Sequence, residues 1–391
     1  MRASIIALQL GVLFALMVPA LAEGVRVAPV GAPQVMFTPK QGCDGNDIPD
    51  APARVFRASR GGLVMFGLHD TNRAFRGPDL DHMRLDCDVV LASRGNPNPA
   101  AYDDHSWITA LFTRDGTHVS ALIHHEFHGN EHKGACLFRT MMQCWYNTIL
   151  EMNSSDGARH FARGPNDVVA AVPFRADAEE GRHRGFFNPS NIVPWRGAFY
   201  FMAGTTGWPG QPGGVCLFQS HKPEDAGSWR AWTGQGFDAD FPDPYRHKVV
   251  LATHCKLIAP FPAPVGAVVW LRDAHEFLAT FMARRDDHLF PVSGFYYASS
   301  SDLKHWNAPR LLLAGATYYD DPCTAGGQVI AYPSLLDPQA TSQIFADSDS
   351  APWLYFTRAK VEGCSITGER DLMRLKLEVR SSAQATKKSD R

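Results

Sequence analysis

The feature that most limits what this chain can fold into is the recurrence of one strand-and-turn phrase. Ser154-Ser155-Asp156-Gly157-Ala158-Arg159-His160-Phe161 is echoed by Ser300-Ser301-Asp302-Leu303-Lys304-His305-Trp306, and each follows a strand-like run. A looser copy links Leu217-Phe218-Gln219-Ser220 to Trp229-Arg230-Ala231-Trp232. In each, a strand ends in Ser, an acidic residue or glycine makes the turn, and an aromatic closes the unit. The Asp accepts hydrogen bonds from turn N–H groups, and the aromatic packs back between sheets. A second echo sets x-Pro-Ser before an apolar pair, in Asn188-Pro189-Ser190-Asn191-Ile192-Val193 and in Tyr332-Pro333-Ser334-Leu335-Leu336. These marks place unit starts near Arg54, Ser106, Asn188, His254 and Tyr332. Such spacing leaves each unit room for four antiparallel strands and long loops.

Strand-like runs recur throughout: Gly62–Gly67, Trp107–Phe112, His118–Ile123, Ala198–Met202, Ala267–Trp270, Gly294–Ala298 and Trp353–Thr357. β-Branched and aromatic residues dominate them, as a half-buried pleated surface requires. Asp273–Arg285 has a helical composition but no convincing cap, and reads equally as strand. With 33 Gly, 27 Pro and 24 Phe in 391 residues, the expectation is an all-β protein rich in turns. The formal net charge of −2 argues against an electrostatic nucleic-acid binder.

Residues 1–22 read as an export segment. Arg2 precedes an apolar run from Ile5 to Val18, and Pro19-Ala20-Leu21-Ala22 offers small residues before a cut at Ala22/Glu23. The run is shorter than the ~20 residues a membrane span needs. The expected product is extracytoplasmic, periplasmic or secreted, with no membrane attachment after cleavage. Eight cysteines in an oxidising compartment favour disulfides. Cys136–Cys144 would close a short loop, and Cys43–Cys87 and Cys323–Cys364 would each tie the ends of one unit. Residues 23–380 read as one domain, and 381–391 as a flexible polar tail.

The phrase Tyr297 to Trp306, Tyr-Ala-Ser-Ser-Ser-Asp-Leu-Lys-His-Trp, and the unit spacing resemble the five-bladed β-propeller glycosidases of the arabinanase and invertase-like families. The resemblance implies a five-bladed propeller with long inter-strand loops and a funnel-shaped site on its axis, lined by carboxylates from different blades. It also implies an Asp opening the first blade, where the chain reads Arg54-Val55-Phe56-Arg57, and the invertase-branch Asn-Asp-Pro-Asn is absent.

The densest polar constellation is His124-His125-Glu126-Phe127-His128-Gly129-Asn130-Glu131-His132. In a strand, His124, Glu126 and His128 share one face. A carboxylate flanked by imidazoles is a proton-transfer centre, with Glu126 as general acid. The spacing is not His-Glu-x-x-His, although a strand still offers His124 and His128 to a metal. Glycoside hydrolysis needs a partner carboxylate. Asp104, just before Ser106-Trp107, is one candidate, and Asp70, beside His69, is the other. His69, His124, His128, Asn188, Asn191, His254 and Tyr332 are the expected substrate-binding residues. Trp107, Trp145, Trp195 and Trp208 are divided between sugar stacking and core. The expected activity is hydrolysis of a glycosidic bond in an oligo- or polysaccharide by a monomer. The rival is a non-catalytic carbohydrate-binding propeller. No cofactor is required, and Asp238-Ala239-Asp240-Phe241-Pro242-Asp243 lacks EF-hand spacing. At most a structural calcium or other divalent ion is expected.

Overall fold

A computed structural model describes residues 24–248, 253–286 and 288–380. The expected export segment and the polar tail lie outside the described residues. The chain is nearly all β, and among the described residues helix is limited to short 3-10 turns.

The N-terminal strand β1 (Arg26–Phe37) does not pair with its sequence neighbour. A first meander follows it: β2 (Pro49–Arg57), β3 (Leu63–Leu68), β4 (Asn72–Gly77) and β5 (Arg84–Leu91). The second comprises β6 (His105–Thr113), β7 (Val119–His128), β8 (Trp145–Ser154) and β9 (Ala162–Ala170). The third is built from β10 (Arg184–Phe187), β11 (Val193–Trp195), β12 (Ala198–Thr205), β13 (Gly214–Ser220), β14 (Arg230–Trp232) and β15 (Phe237–Ala239). A short parallel pairing of β10 with β8 joins the second and third into one sheet. The fourth contains β16 (Val265–Leu271), β17 (Glu276–Ala283), β18 (Gly294–Ser300) and β19 (Arg310–Ala314). The last begins with β20 (Gln328–Leu336), after which β21 (Asp347–Ser348) pairs with β16, and continues through β22 (Trp353–Glu362) and β23 (Ser365–Arg380). Strand β1 completes this last sheet by pairing antiparallel with β23, so the start of the described chain finishes the sheet built by its end.

Neighbouring sheets bury apolar faces against one another. One cluster runs from Phe56 through Ile108 and Phe201 to Phe281. A second packs Leu278 and Phe295 against Leu354 and Leu375, and a third packs Val55 and Met65 against Tyr355 and Leu372. The last sheet therefore packs on the first. The Asp273–Arg285 segment resolves as strand, because Phe277, Ala279 and Phe281 alternate into the first cluster and Leu278 into the second.

Polar stitches join the opening strands. The buried Arg54 guanidinium donates to Thr109 O (2.5 Å), Gly266 O (2.7 Å) and Ser334 Oγ (3.0 Å), reaching β6, β16 and β20 from β2. Asn72 exchanges hydrogen bonds with Ser106 O and Ile108 N, and Asn191 does the same with Val268 O and N. Gly266 is required where β16 meets β20, since a Cβ there would sit 2.1 Å from Pro333 O.

Unit starts at Arg54, Ser106, Asn188 and Tyr332 fall in or beside an opening strand, but the one at His254 does not. Residues 253–258 form no strand and are tied to the third meander by the Cys216–Cys255 disulfide and by Lys256 N→Trp232 O and Ile258 N→Val215 O; the fourth opens at Val265. The other disulfides are Cys43–Cys87, Cys136–Cys144 and Cys323–Cys364.

The repeated turn phrase has one geometry. Asp156 Oδ1 accepts from Arg159 N and His160 N while Oδ2 meets His160 Nδ1, and Asp302 repeats this with Lys304 N, His305 N and His305 Nδ1. Asp115 with His118 does the same, and Asp79 with His82 forms a close variant.

Glu151, in β8, is a buried carboxylate with one oxygen bonded to Asn153 and the Ser120 hydroxyl nearby. Burial pushes its pKa up from 4.5 to about 7. Between those values the unfolded chain has released a proton that the folded chain still holds, so stability falls as pH rises. The loss amounts to about 3 kcal/mol across the window. Glu151→Gln is expected to flatten this dependence and to be the more stable protein at pH 8, as read by urea denaturation at pH 4.5 and pH 8.

Candidate functional site

Strand alternation sorts the His-rich run into two faces. His125 and Phe127 turn toward Tyr102 and His132, whereas His124, Glu126 and His128 share the other face. Register brings neighbours to that face: His105 lies opposite Glu126, Trp107 opposite His124, Asn147 opposite Glu126 and Trp145 opposite His128.

Glu126, 8% exposed, is clamped between two imidazoles: His124 Nε2 lies 2.6 Å from Oε1 and His128 Nε2 lies 2.7 Å from Oε2. His124 Nδ1 accepts from the Asn188 N–H at 3.2 Å, which makes Nε2 the donor to Glu126. Burial alone would raise the Glu126 pKa, but the two imidazole hydrogen bonds override it and bring it to about 2. Glu126 is therefore an ionised acceptor near neutral pH, and the general-acid role expected from the sequence does not fit its surroundings.

Asp70 repeats the arrangement. Its oxygens meet His69 Nδ1 at 2.6 Å and His105 Nδ1 at 2.7 Å, and these bonds outweigh burial to hold its carboxyl well below the ordinary range. Burial would lower His105, but the Asp70 bond and neighbouring carboxylates bring it up to about 9. The His105 and His128 rings stack at 4.3 Å.

Two more carboxylates face the free edges of these rings. Glu131 Oε2 is 3.4 Å from His105 Nε2, and Glu131 Oε1 is 3.1 Å from His128 Nδ1. Asp104 Oδ1 is 3.7 Å from His105 Nε2 and 2.9 Å from His132 Nε2, while Oδ2 accepts from the His128 N–H. The Asp103-Asp104 pair is thus divided. Asp103 holds the exposed Arg94, and Asp104 turns inward. His105, His128 and Glu131 each offer a ligand atom within 4.8 Å of the others, the one such grouping among the described residues. Beyond them, Trp145 stacks on His183 at 4.1 Å, and His183 hydrogen-bonds Asn147.

Glu126, Asp104, Asp70, His69, His124 and His128 therefore lie in one cluster. Asn188 reaches it through its backbone N–H. Tyr332 donates to Asp50 Oδ1 at 3.2 Å, and Asp50 pairs with Arg370 and lies 3.4 Å from His69 Nε2. Two expected residues do not join. The Asn191 side chain is spent on the Val268 backbone, and His254 stacks at 6.5 Å on Trp208 in the third sheet. Trp195 and Trp208 pack with core aromatics, whereas Trp107 and Trp145 flank the histidines. The residues missed in the sequence are Asp50, His105 and His183, and Glu131 and His132 stood in the polar constellation without a role. His105 carried a usable signal, because strand alternation from Trp107 puts it on the same face. Asp50 is the second residue of β2, which opens at Pro49 and not at Arg54.

No protein family matches the chain by sequence, and no curated protein does. Among solved structures the chain is similar to Zg3597, a family 117 glycoside hydrolase from Zobellia galactanivorans, with 10% identity and a TM-score of 0.48 over 92% of this chain and 91% of that one. It is similar to the catalytic domain of a GH62 α-L-arabinofuranosidase from Coprinopsis cinerea, with 10% identity and a TM-score of 0.47 over 91% and 98%. It is also similar to an N-acetylgalactosamine deacetylase from F. plautii in complex with blood group B trisaccharide, with 12% identity and a TM-score of 0.45 over 91% and 96%. With TM-scores below 0.5, these likenesses carry no part of the functional reading, which rests on the site.

Proposed function

We propose that the protein is an exported five-bladed β-propeller hydrolase that cleaves a glycosidic bond in an oligo- or polysaccharide at the His-rich end of its axis. Closure of the last sheet by β1, and the packing of that sheet on the first, support the ring. The convergence of β6, β16 and β20 on Arg54 supports a common axis. Four disulfides support an oxidising compartment.

One observation carries the chemistry. Asp104 and Glu131 both meet the Nε2 edge of His105, at 3.7 and 3.4 Å, and a pair of carboxylates at one site is what glycoside hydrolysis uses. In the reaction, water oxygen bonds to the anomeric carbon, the glycosidic C–O bond breaks, the leaving oxygen takes a proton and the water gives one up. Asp104, His105 and Glu131 are the groups placed to carry those protons. Asp70 and Glu126 hold the two histidines in orientation from behind. Trp145, on His183, offers an aromatic face to a sugar ring.

The test is reducing-end release by the purified mature protein on a panel of plant, algal and host oligosaccharides. Release from at least one class is expected. Retention of a glycan with no release from any would overturn hydrolysis in favour of the binding propeller.

A further inference from the structure

We infer that His105, His128 and Glu131 form a site for a divalent transition metal of the zinc type, at the mouth of the axial cluster. The inference deepens the reading of that site as hydrolytic, and rests on it only for the use made of the ion.

The ligand atoms are His105 Nε2, His128 Nδ1 and a Glu131 carboxylate oxygen. All lie within 4.8 Å of one another, and each nitrogen is 3.1–3.4 Å from a Glu131 oxygen. Donors held at ~2.0–2.2 Å from one tetrahedral ion stand about this far apart. The surroundings match what such ligands require. A metal-bound imidazole commonly gives its other N–H to a carboxylate, which fixes the tautomer. His105 Nδ1 meets Asp70 at 2.7 Å, and His128 Nε2 meets Glu126 at 2.7 Å. Each of those carboxylates is steadied by a further imidazole, His69 for Asp70 and His124 for Glu126. Both histidines therefore turn a nitrogen to the same point while the opposite nitrogen is committed.

A second observation comes from a fourth residue beside these three. Asp104 is buried, with its side chain 2% exposed, and its Oδ1 has no hydrogen bond. His132 Nε2 lies 2.9 Å away as an ion-pair contact, and among the described residues neither atom has a hydrogen bond. An unpartnered buried carboxylate oxygen is costly, and this one lies 3.7 Å from the ligand nitrogen of His105. It is placed to complete the coordination or to hold the ion's water. Two imidazoles and one carboxylate select zinc-like ions over calcium or magnesium, which prefer all-oxygen sites. Of the calcium or other divalent ion expected from the sequence, these donors favour the latter, and they replace His124 by His105 beside His128. An ion bound there would polarise the water that the hydrolase needs and would commit His105 and Glu131 as ligands, which leaves Asp104 to take up the water's proton.

The experiment loads the full-length mature protein with Zn2+, removes excess by dialysis and counts metal by mass spectrometry. Affinity is read by competition with a chromophoric chelator. One equivalent per chain is expected, with His105→Ala and His128→Ala each weakening binding at least 100-fold. Asp70→Asn, which touches no ion, is expected to weaken it 10- to 100-fold. Co2+ loading of the unaltered protein gives a reading that needs no variant to fold, with visible d–d absorption of a four- or five-coordinate, nitrogen-ligated centre expected. Substoichiometric metal overturns the proposal. So does one equivalent that persists in the His105→Ala/His128→Ala protein. Metal bound without glycan cleavage would remove the hydrolase reading and leave the site standing, whereas cleavage undiminished by chelator in metal-free protein would do the reverse.

Discussion

Replacing Arg54 with alanine is expected to cost the protein about 3–5 kcal/mol, at the upper end of what a single substitution removes. The guanidinium is buried, with no carboxylate partner among the described residues, and burial pulls its pKa down to about 9. What holds it is a set of acceptors on three other strands: Thr109 O, Gly266 O and Ser334 Oγ. Alanine would strand two buried carbonyls, each worth about 1–3 kcal/mol when orphaned, and open a void between the opening strands. Arg54→Met fills most of the volume but donates nothing, so it is expected to recover only part of the loss. The check is equilibrium urea denaturation of the three proteins. A loss below about 1 kcal/mol for alanine would mean that the strands do not depend on this residue, and would weaken the case for a shared axis.

Glu126→Gln is expected to reduce kcat on the cognate glycan at least 100-fold with a much smaller change in KM. The reason lies in donor and acceptor counting. His124 Nδ1 accepts from Asn188 N–H, so His124 Nε2 must donate, and Glu126 must accept from both imidazoles. An amide accepts on one side only. Its NH2 group would face His128 Nε2 and force the proton onto Nδ1, the nitrogen that meets Glu131 at 3.1 Å. The ring edge that faces Glu131 would thus change character while the strand stays in place. Glu126 touches no reacting atom and acts through His128. Glu126→Asp, which keeps the ionised acceptor on a shorter arm, is expected to restore part of kcat. Equal losses in the Gln and Asp proteins, or a fall in melting temperature that accounts for the lost activity, would reduce Glu126 to a structural residue.

Much of this arrangement is legible in the sequence because a strand repeats every two residues. His124, Glu126 and His128 share a face for that reason alone, and the cross-strand register then adds His105 and Trp107. The turn phrases are legible because their Asp side chains bond only to near neighbours in the chain. Asp50 is not, because Pro49-Asp50-Ala51-Pro52 reads as a turn. Strand β2 accommodates both prolines through a register shift between Pro49 and Arg54. Glu131 and His132 sit in the loop after β7, near the segment tied by Cys136–Cys144, where no periodicity assigns a face. His183 enters through the parallel pairing of β10 with β8, a contact between distant segments. Asn191 was legible as a recurring residue at a unit start but not as a stitch, since its partner is the backbone of Val268.

The most direct measurement is a crystal structure of the Glu131→Gln protein with the best-cleaved oligosaccharide of the panel bound. The scissile oxygen is expected within hydrogen-bond reach of Asp104 or His105, with a sugar ring against Trp145. A ligand seated instead in an outer depression, such as the one lined by Phe112, Arg114 and Glu224, with no sugar at the histidine cluster, would contradict hydrolysis at that cluster.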